Sequence, residues 1–466
     1  MQNYFAVVFT DLVRHSLVWD KVPRNAMTTI IAEYRYLAQS IAGQYGRRHE
    51  NFTGDGHLFL FESADVAAHF GLKLIAYWNQ RRRSLLAMHK APDLPIRIGC
   101  HFGECSQLAG VDDWIGRAIN IAKRVEALAE PDTLFITQTI LELVDLPIYE
   151  FREAGVYDLK GDFLPRRQIY RLLSVDHAAV AERRPEEMSA EDWFLKAVGM
   201  ADRTCESLKD EMHCYQNAIK LRPNYPEAHN NLAILLKTAG EREAAHEHYR
   251  EALRLWPEYP EAHFNYAIFL ESEEARADAI THYGQAIKHR IDYTDARLRY
   301  ANLLAMVGNG AEAERQYQEV LRLRPGYAEA RNNYAVFLER RNELKAAEQQ
   351  YVQALELRPD YAEAHYNYAM LLEGANATQA EEHYRAALQS SHDYAEAHNN
   401  LAVLLHERGD LKGAEEHYSA ALRLRPRDAE TNYNFALLLQ AKGDKPAADR
   451  YFQLSQELMA RSPPTN

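Results

Sequence analysis

The chain has 466 residues, 67 acidic against 54 basic, a formal net charge of -13 and four cysteines. At about 100–200 residues per domain this length calls for two or three folding units, and the acidic balance excludes a polyanion-binding protein, so no nucleic-acid partner is expected. Residues 1–173 hold 20 basic and 20 acidic side chains, so the whole excess falls on the remainder. Cys100, Cys105, Cys205 and Cys214 show neither close metal-ligand spacing nor a disulfide pattern, which fits reduced thiols in a cytoplasmic protein. The amino-terminal residues run into an apolar strand without a basic leader, and no apolar run is long enough to span a bilayer. A soluble cytoplasmic protein with no membrane partner is the expectation.

The first predicted element is a buried strand, Tyr4 to Thr10, rich in β-branched and aromatic residues and ending at Asp11. Apolar residues recur at helical spacing between Asn25 and Gly46. Asp55 then sits in Gly54-Asp-Gly56, between Phe52 and the apolar run Leu58 to Phe61, a strong short-range hairpin signal. A second helix is predicted from Ala64 to Met88, with Arg81 to Arg83 at its solvated end, where cations suit the macrodipole. Strands are predicted near Ile96 to Phe102, Leu134 to Thr137 and Gln168 to Leu172. Helices interrupt the strand series, which predicts an α+β domain: an antiparallel or mixed sheet with helices on one face. Asp11 and Asp55, delivered at strand ends, are hard oxygen donors of the kind that Mg²⁺ or Mn²⁺ accepts beside substrate phosphates. Asn120 and Arg124 lie one helical turn apart on one face. Arg124 offers phosphate a planar fork, and Lys160, beside Gly161, a point charge.

Phe9-Thr-Asp-Leu12, Thr53-Gly-Asp-Gly56, Ile96-Arg-Ile-Gly-Cys-His-Phe-Gly103, Gly116-Arg-Ala-Ile-Asn-Ile-Ala-Lys-Arg124 and Leu159-Lys-Gly161 occur in this order. Together they resemble the catalytic domain of the class III nucleotide cyclases, over residues 1–173. The resemblance implies that Asp11 and Asp55 hold two metals, Mg or Mn, per active site. It implies that Asn120 orients the ribose and that Arg124 and Lys160 bind the triphosphate. The implied reaction is attack of the ribose 3′ hydroxyl on the α-phosphorus of a nucleoside triphosphate, releasing pyrophosphate. In this family the metal aspartates come from one subunit and the Asn, Arg and base-reading residues from the other, so a homodimer is the implied active form.

The chain departs from the family pattern where the base is read. Adenylate cyclases of the class usually carry Lys four residues before the hairpin aspartate and Asp seven before the asparagine; here these positions hold Asn51 and Asp113. A carboxamide both donates and accepts, where an ammonium only donates. Asn51 beside Asp113 suits a pyrimidine edge, with Asp113 accepting from the uracil N3 hydrogen or the cytosine amino group. Arg14 stands where the family usually places a glycine near the phosphates, and supplies a phosphate contact of its own. These changes resemble the pyrimidine cyclases of bacterial anti-phage systems, which make cyclic UMP or cyclic CMP as an infection signal. An ordinary adenylate cyclase making cyclic AMP, and a head without turnover on an interaction scaffold, stay open as alternatives.

Residues 174–190 lack apolar periodicity and read as a linker. Beyond it, Ala233, Ala267, Ala301, Ala335, Ala369, Ala402 and Ala436 recur at intervals of 34, 34, 34, 34, 33 and 34. A tyrosine follows each, Tyr249 through Tyr451, with prolines such as Pro257, Pro325 and Pro359 closing the unit. This is the tetratricopeptide pattern, and it predicts a solenoid over residues 191–462 whose concave groove takes a protein or peptide partner. Asn231, Asn265, Asn333, Asn367, Asn400 and Asn434 stand two residues before these alanines, with Arg299 the exception. They resemble the asparagine ladder with which some such solenoids hold an extended peptide. His248, His282, His383 and His417 also share one repeat position, a whole repeat apart and so not grouped for one metal.

Overall fold

The structure, a computed structural model, describes residues 3–13, 22–52, 56–107, 114–145, 148–159, 166–175, 186, 188–201 and 208–461. Arg14, Asp55, Asp113, Lys160, Cys205 and most of the expected linker lie outside the described residues. By internal packing the chain forms two compact units, one of Met1–Leu303 with Leu323–Pro325, the other of Leu304–Arg322 with Gly326–Asn466.

The first unit opens on a strand, β1 (Asn3–Leu12), whose apolar residues from Phe5 onward are buried on both faces, as a central strand requires, while Tyr4 near its start is exposed. The other strands are β2 (His49–Phe52), β3 (Gly56–Phe61), β4 (Ile96–Gln107), β5 (Trp114–Ile115), β6 (Thr133–Thr137), β7 (Tyr149–Tyr157) and β8 (Arg167–Val175). They form one sheet in the order β2-β3-β1-β4-β6-β8-β7, with β5 paired to β4. β4 and β6 run parallel and the other pairs antiparallel, so the sheet is mixed. The strand β7 has alternating, partly exposed residues without a clean apolar face, and the sequence pattern did not reveal it.

Side chains alternate across the sheet, and both faces are covered. Ala6, Val8, Phe59 and Phe61 point into a core shared with Tyr34 and Ile41 of α1 (Arg24–Gln44) and Phe70 and Trp78 of α2 (Ala64–Met88). The fully buried Trp78 satisfies its indole N–H by donating to the Leu94 carbonyl at 2.8 Å. Phe5, Val7, Phe9, Leu58 and Leu60 point the other way, against Ala118 and Ala122 of α3 (Arg117–Leu128). The α+β reading holds, and the sheet carries a helix on its second face as well as the pair on its first. The physical reason is that β1 and β3 are apolar at consecutive positions, so neither face tolerates water.

From Ala190 the described residues form eight successive helix pairs at the predicted period. The repeat alanines have no accessible surface, which lets paired helices approach closely. The aromatic position is buried from Tyr249 through Tyr418. Proline opens the first helix of two repeats, at Pro226 and Pro260, where its missing N–H costs nothing. In the first unit the core behind α1 and α2 continues into Trp193, Phe194, Tyr215, Ala228 and Leu232, so head and early repeats share apolar burial.

Candidate active site

Asp11 is the penultimate residue of β1 and lies in register with Gly56 of β3 on one side and Arg97 of β4 on the other. Its carboxylate is half-buried and accepts from the Arg97 guanidinium at 2.7 Å. Arg97 also forms an ion pair with Glu126 on α3. Burial pushes the Glu126 carboxyl up to about 7; the charge of Asp11 adds to the rise, while Arg97 and Lys123 oppose it. On Arg97 burial acts against the charge, and Glu126 with Asp11 more than offsets it, so the guanidinium is held above its ordinary range. A chain of charges, Asp11 to Arg97 to Glu126, therefore ties the end of β1 to the second face of the sheet.

The helix at the far end of that chain carries Asn120 and Arg124. Asn120 is exposed and Arg124 half-buried, one turn apart on α3. Arg124 donates to the Leu159 carbonyl at 2.5 Å, which places its guanidinium against the residue preceding Lys160. Two glycines of β4 decide how close this helix comes. A Cβ at Gly99 would lie 2.1 Å from the Glu126 backbone nitrogen and 2.5 Å from the Ala122 carbonyl oxygen, and one at Gly103 would lie 3.0 Å from the Ala118 Cβ. Between them His101 is buried against Thr137 at 2.9 Å. Burial first, then Arg167 and Arg117, lowers its pKa to about 4, so it is neutral.

Asn51 lies on the edge strand β2, paired with Leu58, and is half-buried. Its strand is stapled at both ends, by His49 beside the Trp114 ring and by Phe52 beneath the Arg35 guanidinium at 4.7 Å. The structure thus links Asp11, Arg97 and Glu126 by ion pairs, seats Arg124 of the same helix on the Leu159 carbonyl, and leaves Asn51 on a separate strand of the same sheet. Asp11 fits a divalent cation: it is a hard oxygen donor whose charge is balanced by a guanidinium, a role that a metal ion takes over directly. Among the described residues no group of three or more His, Cys, Asp or Glu stands together as a ligand set. Arg97 and Glu126 carried no local signal in the sequence, because their partners are chosen by strand register and by helix packing.

The asparagines of the repeats are half-buried. The amide of Asn265 donates to Asn230 at 3.1 Å, that of Asn367 to Asn332 at 3.0 Å and that of Asn434 to Asn399 at 3.3 Å, each reaching the preceding repeat. Asn231 and Asn400 donate to the tyrosine hydroxyls of Tyr215 and Tyr384, both at 3.2 Å, and Asn333 accepts from Asn332 at 3.3 Å.

Residues 2–174 match the family described as the adenylate and guanylate cyclase catalytic domain, and residues 226–269, 298–362 and 371–429 match tetratricopeptide repeat families. The chain joins a cyclase catalytic domain to tetratricopeptide repeats. A protein of Rhizobium meliloti (strain 1021) named "Putative adenylate cyclase 3" is 26% identical over 163 residues, 34% of this chain and 26% of that protein. The chain thus spans about a quarter of the length of that curated relative. Among solved structures it is similar to the adenylyl cyclase CyaB from P. aeruginosa, at 24% identity and TM-score 0.35, covering 37% of this chain and 95% of that one. The guanylyl cyclase Cya2 is similar at 16% identity and TM-score 0.34, over 38% of this chain and 94% of that one. No helix among the described residues is long and apolar enough to cross a membrane.

Proposed function

We propose that this cyclase domain is a working class III enzyme that turns a nucleoside triphosphate into a 3′,5′-cyclic nucleotide and pyrophosphate. The observation that carries the reading is the charge chain from Asp11 through Arg97 to Glu126, which couples the metal-binding strand end to the helix bearing Asn120 and Arg124. Divalent cations held by Asp11 and Asp55 would supply a lowered pKa at the 3′ hydroxyl and neutralise charge on the leaving group. Arg124 stabilises the charge that develops at the α-phosphate, Lys160 and Arg14 grip the remaining phosphates, and Asn120 orients the ribose. Asn51 and Asp113 read the base, and their carboxamide and carboxylate favour uracil or cytosine over adenine. The active form is a homodimer in which the aspartates of one subunit face Asn120 and Arg124 of the other. The repeats take a protein or peptide partner in their groove, and the cyclic nucleotide serves as a cytoplasmic messenger in anti-phage defence.

The test is to incubate the purified chain with Mn²⁺ and ATP, GTP, CTP or UTP separately and to identify the products by chromatography. Cyclic UMP or cyclic CMP as the main product is the expected result. Cyclic AMP would make this an adenylate cyclase, the activity named for the Rhizobium relative, and no product from any of the four would sink the enzymatic reading.

A further inference from the structure

From the second repeat onward each repeat presents one acidic residue at the same position, and in three consecutive repeats that residue meets the head. Glu227, Glu261 and Asp295 are spaced 34 residues apart. Glu227 forms an ion pair with Arg48 at 3.2 Å, Glu261 with Arg47 at 2.6 Å, and Asp295 accepts from the Tyr36 hydroxyl at 3.0 Å. All six residues belong to the first compact unit. Three contacts at one repeat interval fix both the distance and the rotation of the repeats against the end of α1.

The approach is close because two positions of the head there, Gly43 and Gly46, carry no side chain. A Cβ at Gly43 would lie 2.7 Å from Glu261 Oε1, and one at Gly46, whose φ is +67°, would lie 2.2 Å from Glu227 Cγ. Around this contact the opposite charges are paired. Arg47 is buried and also pairs with Glu50 at 2.6 Å, and Glu261 also pairs with the buried Arg290 at 2.8 Å. Asp292 accepts from Gln39 at 2.5 Å and forms an ion pair with Arg35, while Arg48 lies over the Trp256 ring at 4.5 Å. Burial works to raise the Glu261 carboxyl, and the guanidiniums of Arg47 and Arg290 outweigh it, so the group is charged. Such a network is held only while every charge keeps its partner.

Arg47 and Arg48 lead directly into β2, the four-residue edge strand that carries Asn51 and has β3 as its one sheet neighbour among the described residues. Short edge strands are weakly fixed by pairing alone. A cavity of about 880 Å³ runs along the same seam, with Asn51, Phe52 and Gln107 on the head side and Trp256, Lys288 and Ile291 on the repeat side. We propose that the second to fourth repeats hold the base-reading edge of the nucleotide site, with Glu261 and Glu227 acting through Arg47 and Arg48 as positioning residues for Asn51. This rests on the cyclase reading above. It makes the repeats part of substrate selection, so that a partner displacing them from α1 changes the affinity for nucleotide.

The experiment compares the full chain with Glu261→Gln, Gly43→Ala and, as a control at the same repeat position in the second unit, Glu329→Gln. Gly43→Ala keeps every charge and wedges a methyl group against Glu261, so it decides the matter if Glu261→Gln does not fold. Hydrogen exchange is followed over residues 47–52, and kcat and KM are measured with each of the four triphosphates and Mn²⁺. The expected result is at least a tenfold loss of protection over 47–52 in the two seam variants, and none in Glu329→Gln. KM for the preferred triphosphate should rise about five- to tenfold while kcat stays within twofold. Unchanged protection in folded variants, or lost protection with an unchanged KM, overturns the proposal. Absence of turnover in the unsubstituted chain overturns the cyclase reading instead, and the exchange data still decide whether the repeats hold the strand.

Discussion

Replacing Gly99 by alanine tests whether the seating of α3 makes the site. The added methyl would stand 2.1 Å from the Glu126 backbone nitrogen and 2.5 Å from both the Glu126 Cα and the Ala122 carbonyl oxygen. These are backbone atoms of a helix and cannot rotate away. Ordinary van der Waals contact begins at 3.4 Å, so helix and strand must separate by about 1.3 Å, the difference of 3.4 and 2.1. Overpacking of this kind costs about 1–3 kcal/mol, which lowers a melting temperature by about 2 to 12 °C in a unit of this size. The effect on activity should be larger in proportion, because the displaced helix carries Asn120 and Arg124, and a misplacement of about 1 Å costs on the order of 10²-fold in rate. Gly103→Ala is the internal comparison. Its methyl would meet only the Ala118 Cβ, at 3.0 Å, and the His101 ring at 3.4 Å, so a shift of a few tenths of an ångström suffices and turnover should stay within about fivefold of the unsubstituted chain. Thermal melting followed by circular dichroism and steady-state turnover with the preferred triphosphate are the assays. Gly99→Ala with unaltered melting and unaltered kcat would show that the close approach of α3 to β4 has no bearing on the site.

Arg124→Ala should lower kcat by about 10²- to 10³-fold, or about 3–4 kcal/mol, and leave KM within a few-fold, as for a contact that strengthens only in the transition state; a rise in KM at constant kcat would assign it to ground-state binding instead. Asn51→Lys should shift selectivity towards ATP, and an unchanged base preference would remove the main support for the pyrimidine reading. The repeats should lose stability in mild acid through their paired imidazoles. His263 donates from Nε2 to the Pro257 carbonyl at 3.0 Å, which leaves Nδ1 to accept from His282 at 2.8 Å, and His229 with His248 repeats the arrangement at 2.8 Å. Burial first, and then the neighbouring His282 and His289, lowers the pKa of His263 from 6.5 to about 4 against the opposing Pro257 carbonyl. The folded state therefore binds fewer protons than the unfolded one, so this stabilisation is complete above pH 6.5 and is lost as pH falls towards about 4. Urea denaturation at pH 7.5 and pH 5 should show the lower midpoint at pH 5, with a smaller difference in His282→Gln; equal midpoints would refute the assignment.

The features legible in the order of residues are local and periodic. The 34-residue interval of small residues dictates helix pairs, because only alanine-sized side chains let two helices touch at that position. The apolar run ending at Asp11 and the helical spacing of Asn120 and Arg124 likewise depend on neighbours within a few residues, so they were legible along with the boundaries of α1 and α2. The strand β7 was not, since it alternates without a clean apolar face and takes its place from pairing with β8. Packing between distant segments decided that Arg97 balances Asp11 across 86 positions, that Glu126 joins the pair from the helix covering that same face of the sheet, and that Gly99 is small so that the helix backbone can pass. It also decided that Glu227, Glu261 and Asp295, which in the sequence are ordinary members of a repeating row, are the three that meet the head. The physical reason is common to all of these. A buried charge or a close backbone approach is set by strand register and by the packing of distant segments, and neither leaves a periodic trace in the residues that take part.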